Sequence, residues 1–334
     1  MIDKVLAGLA RLRCRDAAPL SQGLSRDNAE FCLHAAVDAI TRKGLEEELS
    51  TPGQRPRQVT LVCAYGVFTS PIEWVAMLLS AGCSVCIKAP ARDPALCRAL
   101  AEDMVAEGLC VSVSTDRDLA APDAVIGMGD DASMVAIRRS TPNAIHALYG
   151  HRFSVALVTG DCAAAAPLLA RDAALYDGRG CMAPTAVFTT ADPEELAREL
   201  ATAFAQAEQR WPRGAFDSAL GPEWRHRLGL ARVMGMAHVG DAWAVCSLPH
   251  EQFLPAALPR MIAVHGIHEP SELALILDPW RHQLSTLGCD DVGAVPDLFP
   301  RVVTLGDMQI PRFPRQHDGS AMLGSITSSG KLGE

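Results

Sequence analysis

The 334-residue chain carries 39 Asp and Glu against 30 Lys and Arg, a net charge of −9 that leaves no basic stripe for nucleic-acid phosphates. Its 49% hydrophobic and 21% charged residues describe an ordinary globular protein with core enough for two lobes, and 5% aromatics offer little for base stacking. Eleven cysteines, an odd number without a framework, fit reduced thiols in a cytoplasmic protein. No stretch approaches the roughly 18 uncharged apolar residues of a membrane span, and Met1–Arg15 lacks the apolar core of a signal peptide.

Residues 1–15 place Val5, Leu6, Leu9 and Leu12 at helical spacing, and helical periodicity resumes over 28–49 before a polar Pro/Gly break at 51–57. Strands and helices then alternate: strand 59–64, helix 71–81, strand 84–88, helix 94–107, and strands 110–114 and 124–126. A short helix over 132–138 follows. The alternation resumes with strand 153–159, helix 161–176, strand 185–190 and helix 193–211. A helix over 223–236 and strands at 242–246, 260–266 and 301–305 complete the reading, with a Ser/Gly-rich tail from Ser325. Short apolar strands separated by helices predict doubly wound parallel sheets, hence an α/β fold. The expected divisions are an N-terminal helical segment 1–56, a cofactor-binding Rossmann-like domain 57–149, a catalytic domain 150–315 and a tail 316–334.

The segment Asp177-Gly178-Arg179-Gly180-Cys181-Met182-Ala183-Pro184 concentrates the chemistry. Glycines ahead of Cys181 clear the approach of a carbonyl to a thiol and free backbone N–H groups for an oxyanion. Arg179 would favour the thiolate. The competing reading of Cys181 is one more packed cysteine. Gly127-Met128-Gly129 sits at a strand–helix junction, where a pyrophosphate can rest on a helix N-terminus; an ordinary turn, with Asp130 or Asp131 as cap, is the alternative. Lys88 closes a strand where ligands meet open sheets, and Arg92 follows closely. His317 with Asp318 reads either as a base and its orienting carboxylate or as a turn. Cys83 and Cys86 form a single CxxC inside an apolar strand, which favours packing over zinc. No metal site is expected.

Taken in order, these pieces resemble the aldehyde dehydrogenase superfamily, and within it the acyl-CoA reductase branch of bacterial luminescence (LuxC type), over about Val59–Leu323. The carriers are TSPIEWVAMLLSAGCSVCIKAPARDPAL, GMGDDASMVAI, LYGHRFSVALV, DGRGCMAP and LGDMQIPRFPRQHDGSAML. The resemblance implies two doubly wound lobes with the active site between them. It implies Cys181 as the nucleophile, forming an acyl-cysteine with an acyl-CoA or acyl-carrier substrate, which a nicotinamide then reduces to the aldehyde. It places Lys88 and Arg92 on the adenosine side of the cofactor and Gly127 and Gly129 along its phosphates, with His317 as proton donor. The superfamily's acid three residues after the lysine is Ala91 here, with Arg92 beside it, which implies NADPH. Hydrolytic relatives keep a glutamate near the position of Tyr149, and this chain has none there, as fits thioester reduction. The superfamily's oxyanion asparagine near Tyr65 or Gly66 is absent too. Alternative readings are a cysteine-dependent acyltransferase that ignores NADPH, and a non-catalytic scaffold in a biosynthetic complex. A homo-oligomer or a partner enzyme fits either.

Overall fold

The computed structural model describes residues 1–116, 119, 121–249, 253, 255–257, 259–317 and 319–327. The chain forms two compact units that interleave in sequence. The first holds Met1–Gln22, Ala29–His151 and Ile310–Glu334, and the second Gly23–Asn28 and Arg152–Gln309.

The chain opens with α1 (Ile2–Arg13), which buries Val5, Leu9 and Leu12 on one face. The single helix predicted over 28–49 is two, α2 (Arg26–Asp38) and α3 (Arg42–Leu49). Thr41 breaks it: its backbone is extended and its hydroxyl accepts from Gly44 N at 3.0 Å, an N-cap that restarts the helix. Then come β1 (Gln58–Val62), α4 (Pro71–Ser80), β2 (Ser84–Lys88), α5 (Ala95–Ala106), β3 (Val111–Ser114), β4 (Ala124–Met128), α6 (Asp131–Ser140) and β5 (Ile145–Tyr149). Pro71 sets the first turn of α4. Apart from Glu73 the helix is apolar nearly all round, so it is buried nearly all round. The five strands are all parallel in the order β3-β2-β1-β4-β5. The winding reverses at β1, and ligands of open sheets sit at such a reversal, at the carboxyl ends of the strands.

The second unit continues with β6 (Phe153–Val158), α7 (Cys162–Ala174), β7 (Pro184–Thr189), α8 (Pro193–Arg210), α9 (Gly221–Met234), β8 (Met236–Val239), β9 (Ala244–Ser247), β10 (Met261–Gly266), α10 (Glu272–Leu277), β11 (Leu284–Cys289) and β12 (Arg301–Thr304). Their order is β12-β11-β6-β7-β10-β9-β8, parallel except for β8 against β9. Phe153, Val155 and Leu157 of β6 meet Phe188 of β7 and Leu287 of β11 in one core cluster. Asp161 and Asp192 cap α7 and α8, each accepting from backbone N–H groups of the first turn. The chain then returns to the first unit as a hairpin, β13 (Gln316–His317) and β14 (Ser320–Ala321), and a short α11 (Gly324–Thr327).

Candidate active site

The loop before Cys181 is held in a conformation that its side chains alone do not favour. Tyr176 (φ 54°), Asp177 (φ 57°), Gly178 (φ 69°) and Gly180 (φ 93°) are all left-handed. Such backbone costs a residue with a Cβ about 1–2 kcal/mol, so the two non-glycine positions need anchors. Tyr176 N donates to Asn28 Oδ1 at 3.2 Å, and Asn28 Nδ2 donates to the Ala174 carbonyl at 2.9 Å. One buried amide thus ties both sides of the helix end. Asp177 accepts from Arg260 Nε at 3.0 Å and from Gly214 N at 3.2 Å. Arg260, 1% exposed, also reaches Glu208 at 2.5 Å and donates to the carbonyls of Ala174 (3.0 Å) and Trp211 (2.7 Å). Burial pushes the Asp177 carboxyl up, opposed by Arg260 and Arg179, and burial pushes the Arg260 guanidinium down. Arg179 Nη2 lies 3.7 Å from Asp177 Oδ2, so this side chain belongs to the same anchor.

Cys181 itself is half-buried. Its carbonyl accepts from Ser154 Oγ at 2.5 Å. The next residue, Met182, has its sulfur 3.5 Å from Arg301 Nη1. Arg301 also donates to Thr286 Oγ1 at 3.3 Å and to the carbonyls of Met308 (2.9 Å) and Asp307 (3.0 Å). The loop 305–309 is clamped from its other side by Asp172, fully buried in α7, which accepts from Gly306 N at 2.7 Å and Met308 N at 3.2 Å. Burial raises the Asp172 carboxyl to about 7 despite these bonds. Sequence reading missed Asn28, Arg260 and Ser154 as supports of this loop. Their partners lie far away along the chain, and no local pattern marks them.

The residues expected to hold a cofactor lie in the first unit, at the carboxyl ends of its strands. Val62 of β1 is in register with Lys88 of β2 on one side and Gly127 of β4 on the other, so these two share one level of the sheet. Lys88 is half-buried, and its carbonyl accepts from Cys63 N at 3.0 Å. The Arg92 guanidinium lies over the Tyr65 ring, 5.1 Å from its centre, an exposed cation–π pair. A Cβ on Gly127 would stand 2.8 Å from Leu148 Cδ2 of β5 and 3.2 Å from Met134 Sδ of α6, so glycine there leaves room for both the Leu148 side chain and the helix. Gly129 N donates to the Tyr149 carbonyl at 3.1 Å. Asp130 caps α6, accepting from Ser133 N at 2.7 Å, and that bond holds its carboxyl below the usual range. His317 is buried, its ring 3.9 Å from that of Tyr149 and 5.6 Å from that of Trp74. Its expected companion Asp318 lies outside the described residues.

A cavity of about 590 Å³ opens at the carboxyl ends of β7, β9 and β10, lined by Asp192, Glu194, Met236 and Leu248 among others. Cys181 precedes the amino end of β7, so thiol and cavity flank opposite ends of that strand. Among the described residues no group of three or more His, Cys, Asp or Glu is placed to hold a metal ion, and no helix is long and apolar enough to cross a membrane.

Several solved structures are similar to the chain in fold. The chain is similar to an oxidoreductase from Marinobacter aquaeolei (TM-score 0.78, 12% identity, 98% of this chain and 83% of that one). It is also similar to an NAD-dependent benzaldehyde dehydrogenase from Corynebacterium glutamicum (TM-score 0.74, 16% identity, 92% and 82%). A third is aldehyde dehydrogenase 21 from Physcomitrella patens, in complex with succinate (TM-score 0.72, 13% identity, 95% and 79%). At these identities the likeness establishes the aldehyde dehydrogenase fold. No curated protein matches the chain. The profile of the acyl-CoA reductase (LuxC) family matches residues 112–328, well over half of the sequence and including Cys181 and its anchors Ser154, Asp177, Arg260 and Arg301. A match of that extent, on a chain with this fold, leads to one conclusion: the chain belongs to the acyl-CoA reductase (LuxC) family.

Proposed function

We propose that this protein reduces an acyl thioester to an aldehyde with NADPH, through an acyl group carried on Cys181. The observation that carries the reading is the loop 176–181. Four left-handed residues, secured by Asn28 and Arg260, present a half-buried cysteine inside the region matched by the reductase family. A packed cysteine needs no such scaffold.

In this reading the Cys181 thiolate attacks the thioester carbonyl. The C–S bond to coenzyme A or to a carrier's thiol breaks, and that thiolate leaves with the electron pair. The Cys181 backbone N–H faces the oxyanion as it forms. The chemistry a bound NADPH would supply is a hydride for the acyl carbon, after which Cys181 would leave as thiolate and the aldehyde would be released. The first unit suits a dinucleotide, since its sheet reverses at β1 with Lys88 at the carboxyl end of β2. Lys88 and Arg92 would hold the adenosine ribose and its 2′-phosphate, and the Arg92–Tyr65 pair gives that end a cationic edge. The turn around Gly127 and Gly129 lines the pyrophosphate, with Gly127 chiefly allowing the close helix–sheet packing beneath it. His317, whose buried ring is tilted against that of Tyr149, would donate the proton to the aldehyde oxygen or to the leaving thiolate.

The test is intact-mass spectrometry of the protein incubated with octanoyl-CoA in the absence of nucleotide. The reading predicts an octanoyl adduct that maps to Cys181 and disappears on adding NADPH. An adduct that persists with NADPH and passes to amines or alcohols would replace it with an acyltransferase.

A further inference from the structure

Ser154 stands where two strand ladders slip. The pairing of β6 with β7 shifts register between Ser154 and Val155, and the pairing of β6 with β11 shifts between Leu284 and Leu287. Register shifts of this kind cluster beside active sites because they re-aim side chains. Here the shift turns a backbone donor onto a side chain: Thr286 N donates to Ser154 Oγ at 2.9 Å. A hydroxyl has one proton. With Thr286 N–H already a donor, the Ser154 proton goes to the Cys181 carbonyl, 2.5 Å away. Ser154 is completely buried, so its rotamer is set by packing as well as by these bonds. Its own carbonyl accepts from Thr185 Oγ1 at 3.1 Å, just beyond the cysteine loop. Arg301 completes the line, donating to Thr286 Oγ1 at 3.3 Å while touching Met182.

From this we infer that Ser154 is a positioning residue for the nucleophile: through the Cys181 carbonyl it fixes the Cys181–Met182 peptide and with it the Cα that carries the thiol, with Arg301 as its outer support. The inference deepens the function proposed above and rests on it for the reaction. Asn28 and Arg260 hold the loop before the cysteine, and Ser154 holds the cysteine itself. A displacement of about an ångström at a reacting atom costs up to about a hundredfold in rate.

The experiment compares the wild type with Ser154→Ala and Ser154→Thr, using octanoyl-CoA and NADPH. Competent sites are first counted as the Cys181 thiol that reacts with iodoacetamide, read by peptide mass spectrometry. Ser154→Ala is expected to lose about ten- to a hundredfold in kcat per titrated thiol, with KM for octanoyl-CoA held within about threefold. Ser154→Thr, which keeps the hydroxyl, recovers most of that loss. A kcat per thiol within about threefold of wild type in Ser154→Ala overturns the inference, as does a loss confined to the number of titratable thiols. A wild type that neither acylates nor oxidises NADPH overturns the proposed function instead. Positioning is then decided by the iodoacetamide rate at Cys181, which Ser154→Ala must change by about fivefold or more for the inference to stand. If Ser154→Ala does not fold, Arg301→Gln takes its place, with a loss of about three- to tenfold per thiol expected and no loss refuting the role.

Discussion

Replacing Asp177 tests whether the cysteine loop is braced by its buried ion pair. Asp177 and Arg260 are each about 1% exposed, and Arg260 keeps Glu208 and two carbonyls when the aspartate is gone. Breaking a buried pair from one side costs about 3–5 kcal/mol where the remaining charge is left uncompensated; the Glu208 partner that Arg260 keeps puts the loss here at the low end, about 3 kcal/mol. Alanine at φ 57° adds about 1–2 kcal/mol, since it lacks the short polar side chain that eases left-handed backbone. Asp177→Ala therefore loses about 4–5 kcal/mol, a large share of the ~5–15 kcal/mol available to a folded protein. Asparagine keeps both the shape and the tolerance of that backbone, so Asp177→Asn loses about 1.5–3 kcal/mol, the worth of a hydrogen bond to a charged group. Both members of the pair are shifted by burial toward their neutral forms, which marks the pair as a geometric device more than a source of net stability. The double variant Asp177→Asn with Arg260→Met accordingly costs less than the two singles added together. Urea unfolding followed by tryptophan fluorescence measures each loss. An alanine variant within about 1 kcal/mol of wild type, or an asparagine variant as damaged as alanine, would refute the bracing argument.

Three further outcomes follow from the same geometry. Asp172 is protonated more readily folded than unfolded, its carboxyl raised from 3.8 to about 7. Its contribution to stability is therefore full below about pH 4 and fades as pH rises to about 7, by at most about 4 kcal/mol at ~1.4 kcal/mol per unit. Asp172→Asn should flatten that part of the stability–pH curve, and parallel curves for the two proteins would contradict it. Gly127→Ala forces a Cβ to within 2.8 Å of Leu148 Cδ2 and should cost about 1–3 kcal/mol in urea unfolding. Gly129→Ala, 3.4 Å from Met134 Cε, should cost less, and equal losses would count against the packing account. If the proposed NADPH site is correct, Arg92→Glu should shift the kcat/KM ratio from NADPH toward NADH; an unchanged ratio would remove Arg92 from the cofactor.

Much of the architecture could be read from apolar runs and breakers. Val59, Leu61, Val85 and Ile87 mark strands, and Pro71 and Pro193 mark helix starts at the places the structure has them. β11 was not predicted because LSTLGC carries no alternation: all six residues are buried between two neighbours, so the polar ones escape the pattern. β8 has no counterpart in the predicted elements: the helix expected over 223–236 takes in its first residue, Met236, and only the pairing with β9 marks the rest as a strand. Cys181 stands out as a candidate because its glycines are local. Its supports do not, for Asn28, Ser154 and Arg260 act across 148, 27 and 83 residues of chain. A buried serine in an apolar strand carries no outward sign that its hydroxyl holds a distant carbonyl.

The central claim is that Cys181 carries the acyl group on its way to reduction. Its most direct test is NADPH absorbance on adding a panel of acyl-CoA thioesters, with Cys181→Ala run in parallel. The account predicts oxidation that needs both a thioester and Cys181. A flat trace from the wild type across the panel, or oxidation that survives in Cys181→Ala, would contradict it.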